Sequence, residues 1–139
     1  MLSKVLAFLG FLNTTRSGGV VDHCISVSVF SPEWQSFKQS VELFDDLDIR
    51  YMMYGESVKS WYNNCSLGDS VHYAIDPSSN MDLLRTNLIT SMWYPVDLAN
   101  TWKKYGRTVE FVVTPVGRTE RLRWNGLYFN APEDYLSMV

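Results

Sequence analysis

At 139 residues the chain has the length of one domain, enough to bury a core without metal or disulfide staples. Apolar residues at 46% and charged residues at 19% exclude a disordered tail, and a net charge of −3 argues against a generic nucleic-acid binder. Aromatic residues reach 14%, so many of them must pack into a core or an interface.

The segment Met1 to Leu12 carries one cation, Lys4, within a short apolar run that resembles a signal peptide. The run is too short to span a bilayer, which takes about 20 residues. Asn13-Thr14-Thr15 and Asn64-Cys65-Ser66 both fit the glycosylation sequon, which agrees with secretion. No small-x-small cleavage pattern follows the run, which opposes it. The cysteines follow the same division: Cys24 and Cys65 define no framework and read by default as unpaired buried thiols, with a disulfide only in an oxidising compartment.

From Val21 to Phe30 the chain alternates, with Ile25, Val27 and Val29 on one face and Ser26 and Ser28 on the other, the pattern of a half-buried strand. Ser31 then suits an N-cap, since its hydroxyl can accept from a free first-turn N–H, and Pro32 suits the first helical position, where no N–H is needed. Glu33 places negative charge at the positive end of the helix dipole. Trp34, Phe37, Val41 and Phe44 form one apolar stripe at helical spacing. The period then changes to two, with Ile49, Tyr51 and Met53 alternating with Arg50, Met52 and Tyr54 as in a strand. Residues 56–69 read as a polar connection with turn chemistry at Asn63-Asn64 and Leu67-Gly68-Asp69.

Ser70 to Asp76 alternates again, placing Val71, Tyr73 and Ile75 inward and His72 and Ala74 outward. Met81 to Met92 is ambiguous, because Leu84 and Leu88 are helically spaced while Ile89 to Tyr94 suits an extended chain. Leu98, Trp102 and Tyr105 suit one or two helical turns ended by Gly106. Val109, Phe111 and Val113 mark a strand stopped by Pro115 and Gly117. Arg118 to Asn130 reads as one further strand with room for a short second, Leu122 and Trp124 lying opposite Arg121 and Arg123. Several short strands with turns at intervals predict a mainly β single domain, an antiparallel sandwich or barrel with one or two short helices.

The order of these elements resembles the single jelly-roll coat proteins of small icosahedral viruses. In that family a strand precedes a Pro-Trp helix, a phrase of the type Phe-Asp-x-x-x-Ile opens the next strand, and a Gly-containing loop leads to a strand ending in Asp. The matching stretches are Val21 to Phe30, Ser31-Pro32-Glu33-Trp34, Phe44-Asp45-Asp46-Leu47-Asp48-Ile49-Arg50-Tyr51, and Leu67 to Asp76. The resemblance covers residues 20–78 most closely. It implies a jelly-roll shell domain over residues 20–139 preceded by an N-terminal arm or edge segment at residues 1–19, although the Arg/Lys-rich arm common in such proteins has no counterpart. It further implies a non-enzymatic capsid protein that self-assembles around a genome, located in the virion and in the host cell during assembly, with no membrane or small-molecule partner. The alternative from another class is a small secreted β-sandwich binding module, bridged by Cys24 and Cys65 and glycosylated at Asn13 or Asn64.

Four groups of residues are site candidates. His23 and Cys24 are neighbours on a predicted strand and leave opposite faces, so they do not share a metal; His72 reads as a surface residue. Calcium at subunit contacts, implied by the resemblance, would use Asp45 and Asp48; solvated charges at a helix-to-strand junction are the other reading. Lys103, Lys104, Arg107, Arg118, Arg121 and Arg123 stand against only two acids in their span, Glu110 and Glu120, a local excess of four positive charges. They read as nucleic-acid contacts, with Trp102, Tyr105, Trp124 and Tyr128 interleaved for stacking, or as an ordinary solvated face around core aromatics. Trp61, Tyr62 and Trp93, in or near predicted loops, are the subunit-interface candidates.

Overall fold

A computed structural model describes Cys24, residues 28–97 and residues 100–139. Among these lie three helices and seven strands in two sheets. In chain order they are α1 (Pro32–Asp46), β1 (Tyr51–Met53), α2 (Glu56–Asn64), β2 (Ser70–Ile75), α3 (Met81–Thr90), β3 (Tyr94–Pro95), β4 (Thr101–Lys104), β5 (Arg107–Val113), β6 (Thr119–Trp124) and β7 (Leu127–Pro132). A short 3-10 turn, Tyr135–Ser137, follows.

Helix α1 begins as its sequence dictates. The Trp34 N–H donates to the Ser31 hydroxyl at 3.1 Å, and Pro32 occupies the first turn. Trp34, Phe37, Val41 and Phe44 are all buried. The stripe serves two partners. The Phe44 ring meets Tyr51, Tyr73 and Phe111 of the larger sheet at 4.6, 4.8 and 5.7 Å. Phe37 meets Trp124 and Phe129 of the β6–β7 hairpin at 5.2 and 5.4 Å, and Trp34 stands edge-on to Trp124. Close tilted and edge-to-face ring pairs add about 0.5–1.5 kcal/mol each beyond area burial, so α1 joins the two sheets into one core.

The larger sheet runs β1-β2-β5-β4-β3. The wholly antiparallel sandwich expected from the sequence is corrected at its centre, where β2 and β5 run parallel with Tyr73 opposite Phe111. A parallel pair needs a crossover longer than a hairpin, and α3, β3 and β4 supply it. The Met81 ambiguity resolves as helix, because Leu84 and Leu88 are fully buried one turn apart and Asn80 caps the Leu83 N–H at 3.0 Å. Val71, Tyr73 and Ile75 point inward as read, but Ala74 is also fully buried, so both faces are covered where β2 ends. Val113, at the end of β5, is exposed, unlike Val109 and Phe111 on the same strand.

Three further expectations are corrected. Residues 56–64 are a helix, since burying Val58 and Trp61 three apart rewards helical winding that nine residues rich in Ser, Lys and Asn conceal. The expected helical turns around Trp102 are an antiparallel hairpin: Tyr105 and Gly106 both take positive φ, 57° and 74°, the conformation of a tight turn joining β4 to β5. The last strand is two full strands, with positive φ at Asn125 and Gly126 closing the β6–β7 hairpin in the same way. The Val21 to Phe30 strand lies largely outside the described residues; its last two residues, Val29 and Phe30, form an exposed turn before α1. Leu98 also lies outside them.

Asn130 fixes the hairpin against β1, its N–H donating to the Tyr51 hydroxyl at 3.3 Å and its Nδ2 to the Tyr51 carbonyl at 3.2 Å. Asp76 ties the end of β2 to the segment before β6. Its carboxylate accepts from Val116 N–H at 2.8 Å and from both Ser78 groups, which hold its pKa down at about 2.

Candidate functional site

The default reading of the cysteines is overturned: Cys24 and Cys65 form a disulfide, with Cα atoms 5.4 Å apart and a sequence separation of 41. Cys24 is buried, and Cys65 takes a left-handed conformation at the C-cap of α2. Spacing alone does not specify such a pairing, since it is fixed by where α2 ends. Asn64, the exposed residue just before the bridge, belongs to the second sequon. Ser66 of that sequon donates its hydroxyl to Glu33 Oε1 at 3.1 Å. Asn13, Lys4 and His23 lie outside the described residues.

The six candidate cations divide between the two sheets. On β4 and β5, Lys103 is exposed, while Lys104 is drawn inward. The Lys104 ammonium donates to Gln39 Oε1 at 2.7 Å and to the Ser91 carbonyl, and lies over the rings of Trp93 and Tyr105. Arg107 bridges Glu33 at 3.4 Å and Asp69 at 3.3 Å. Just before β6, Arg118 pairs with Glu133 at 3.7 Å, and on β6 Arg121 pairs with Asp45 at 3.7 Å. Arg121 and Arg123 flank the half-exposed Tyr128 ring at 5.9 and 5.8 Å. Lys104 and Arg107 are thus committed to the fold, and the cations gathered around an accessible aromatic are Arg121 and Arg123. Trp102 and Trp124 belong to the core.

Of the interface candidates, Trp61 lies on α2 and Trp93 between α3 and β3, at 0% and 2% exposure. Trp61 thus lies on a helix and Trp93 in a connection, and both are core rings, Trp61 packing edge-on to Phe129 at 5.1 Å. Tyr62 packs between Trp61 and Tyr135 and keeps part of its surface. Exposed apolar side chains occur at several places, among them Ile89, Met92, Tyr94 and Val96, where α3 turns into the edge strand β3. No sequence signal isolated this group, because each member also fits a core position.

Asp45 and Asp48 line one open cleft with Ile49, Arg50 and Ser78. Burial raises the Asp45 pKa, assisted by Asp46 and Glu42 and opposed by Arg121. Calcium takes six to eight oxygens. Arg50 and Arg121 share the surroundings of the two carboxylates, and no group of three or more His, Cys, Asp or Glu side chains suited to a metal occurs among the described residues. His72, half exposed, meets Glu110 at 3.4 Å, and Ser70 donates to the same carboxylate. Among the described residues no helix is long and apolar enough to cross a membrane.

Comparison with protein-family models gives no match to this chain, and comparison with curated proteins gives none either.

Proposed function

We propose that the chain is a disulfide-braced binding domain that works in an oxidising compartment; no catalytic role is proposed. The observation that carries this reading is the Cys24–Cys65 bridge, because disulfides persist in secreted proteins and are rare in the reducing cytosol. The apolar run from Met1 to Leu12 and the sequons at Asn13 and Asn64 support the same compartment. A binding role is supported by the apolar side chains exposed around Met92 and Tyr94, since contiguous exposed apolar surface marks interaction sites. Expression of the full chain in secreting eukaryotic cells tests the reading. The expected product is in the medium, two hydrogens lighter than the reduced chain, and heavier by a glycan where a sequon is used. Retention inside the cell with two free thiols would contradict it.

A second reading is a self-assembling viral capsid protein of jelly-roll type. The motif order over residues 20–78 supports it, and so does the exposed apolar group at the sheet edge, which suits repeated contacts between copies. A jelly roll is antiparallel throughout, and the parallel β2–β5 pair is where the described residues depart from it. In this reading Arg121 and Arg123 around Tyr128 contact the genomic nucleic acid, and the protein resides in the virion. Light scattering and electron microscopy over a range of salt separate the two readings. Closed particles favour the shell, and a monomer under every condition removes it.

A further inference from the structure

The larger sheet has one face packed and one face largely open. On the inner face Phe44 of α1 meets Tyr51, Tyr73 and Phe111. On the outer face Tyr94 is 63% and Val112 41% exposed, Lys103 and Glu110 are exposed, and Ala74 at the end of β2 is covered. Parallel strands are normally covered on both faces, so an open face beside the parallel β2–β5 pair calls for a partner.

The register lays out this face on three adjacent strands. Tyr94 of β3 pairs with Lys103 of β4, and Lys103 pairs with Thr108 of β5. Two residues further along β5, Glu110 pairs with Thr101, and two further again lies Val112. These six side chains share one face, because paired residues and every second residue of a strand point the same way. They form a triangle with Thr108 at its corner. The leg to Tyr94 crosses two strand spacings, about 10 Å, and the leg to Val112 runs four residues, about 13 Å. Lys103 and Glu110 stand midway along the two legs, and Thr101 lies midway between the far corners. Exchanging the legs therefore exchanges cation with carboxylate, and one exposed apolar side chain with the other. Both charges are accessible. The Lys103 ammonium has no hydrogen bond or ion pair among the described residues. Glu110 meets Ser70 and His72 through Oε2.

We propose that this face docks on the same face of a second copy of the chain, about a two-fold axis along the line from Thr108 to Thr101. Lys103 of each copy then faces Glu110 of the other, and Tyr94 faces Val112. An isologous contact has to complement itself, and this pattern does. The strands of the two copies cross steeply, as in orthogonally packed sheets. The contact closes on itself, so it makes a pair and does not by itself build a shell.

Sedimentation equilibrium of the oxidised full chain, from micromolar to millimolar concentration, tests this. The parent should show a monomer–dimer equilibrium. Lys103→Glu should weaken the dimer about tenfold or more, because it sets like charges opposite one another twice across the axis. The Lys103 ammonium is exposed and bonded to no other group, so this variant keeps the fold. Combining Lys103→Glu with Glu110→Lys reverses both charges and should restore the dimer. A parent that stays monomeric throughout, a dimer indifferent to Lys103→Glu, or a double variant as weak as Lys103→Glu alone overturns the proposal.

Discussion

Both ends of α1 are fastened by an arginine–carboxylate contact, and the two contacts differ in kind. At the N-terminal end, Arg107 and Glu33 side chains are each 23% exposed, and Glu33 also accepts from Ser66 Oγ and the Leu67 N–H. The loop after α2, bridged through Cys65 to Cys24, is therefore tied to the start of α1 and to β5. At the C-terminal end, Arg121 and Asp45 are 51% and 42% exposed, and Arg121 has Asn130 and Tyr128 as its other neighbours. Charge at one end is half-buried and hydrogen-bonded into the fold, and charge at the other end faces solvent.

The largest expected effect comes from cutting the N-terminal end at its covalent tie. Cys65→Ser opens a loop of 41 positions and should cost about 4 kcal/mol by the loop-entropy relation, read as a fall in the urea midpoint under non-reducing conditions. A variant as stable as the parent would mean that the bridge does not constrain this region. Arg107→Ala, which strands Glu33 in a half-buried position, should cost about 2 kcal/mol, the scale of hydrogen bonds to charged groups.

Alkaline pH attacks the middle of α1, which neither end's charges protect. Burial raises the Tyr73 pKa well above the usual phenol value, with the Ser40 hydrogen bond opposing, and burial raises Tyr51 likewise. A raised pKa favours the neutral phenol in the fold. The stability it contributes is complete below the unfolded value of about 10 and is lost as pH rises from there toward the folded value. Urea midpoints should fall between pH 10 and 11, and Tyr73→Phe should flatten the fall. The smallest effect belongs to the C-terminal end, where Arg121→Ala should change stability by under about 1 kcal/mol, because exposed ion pairs contribute little. If it costs as much as Arg107→Ala, the contrast between the two ends fails.

The same contrast explains what the sequence made legible. The α1 start is written locally, in Ser31, Pro32 and the spacing of Trp34, Phe37, Val41 and Phe44, and the strands at Tyr51, Tyr73 and Val109 follow from period-two alternation. Helix α2 escaped because only two buried apolar residues in nine set no visible period, and its burial depends on Phe129 and Tyr135, far along the chain. The hairpin at Tyr105-Gly106 escaped because Trp102 and Tyr105 also fit a helical spacing. Glu33 and Arg107 are 74 positions apart, and the bridged cysteines 41, so their pairing emerges only once the sheet brings them together.

Differential alkylation of the folded protein, purified without reductant, reports whether Cys24 and Cys65 are bridged. Neither Cys24 nor Cys65 should react until a reductant is added, after which both should. Alkylation of both thiols in the folded, unreduced protein would contradict the bridge and remove the basis for placing the chain in an oxidising compartment.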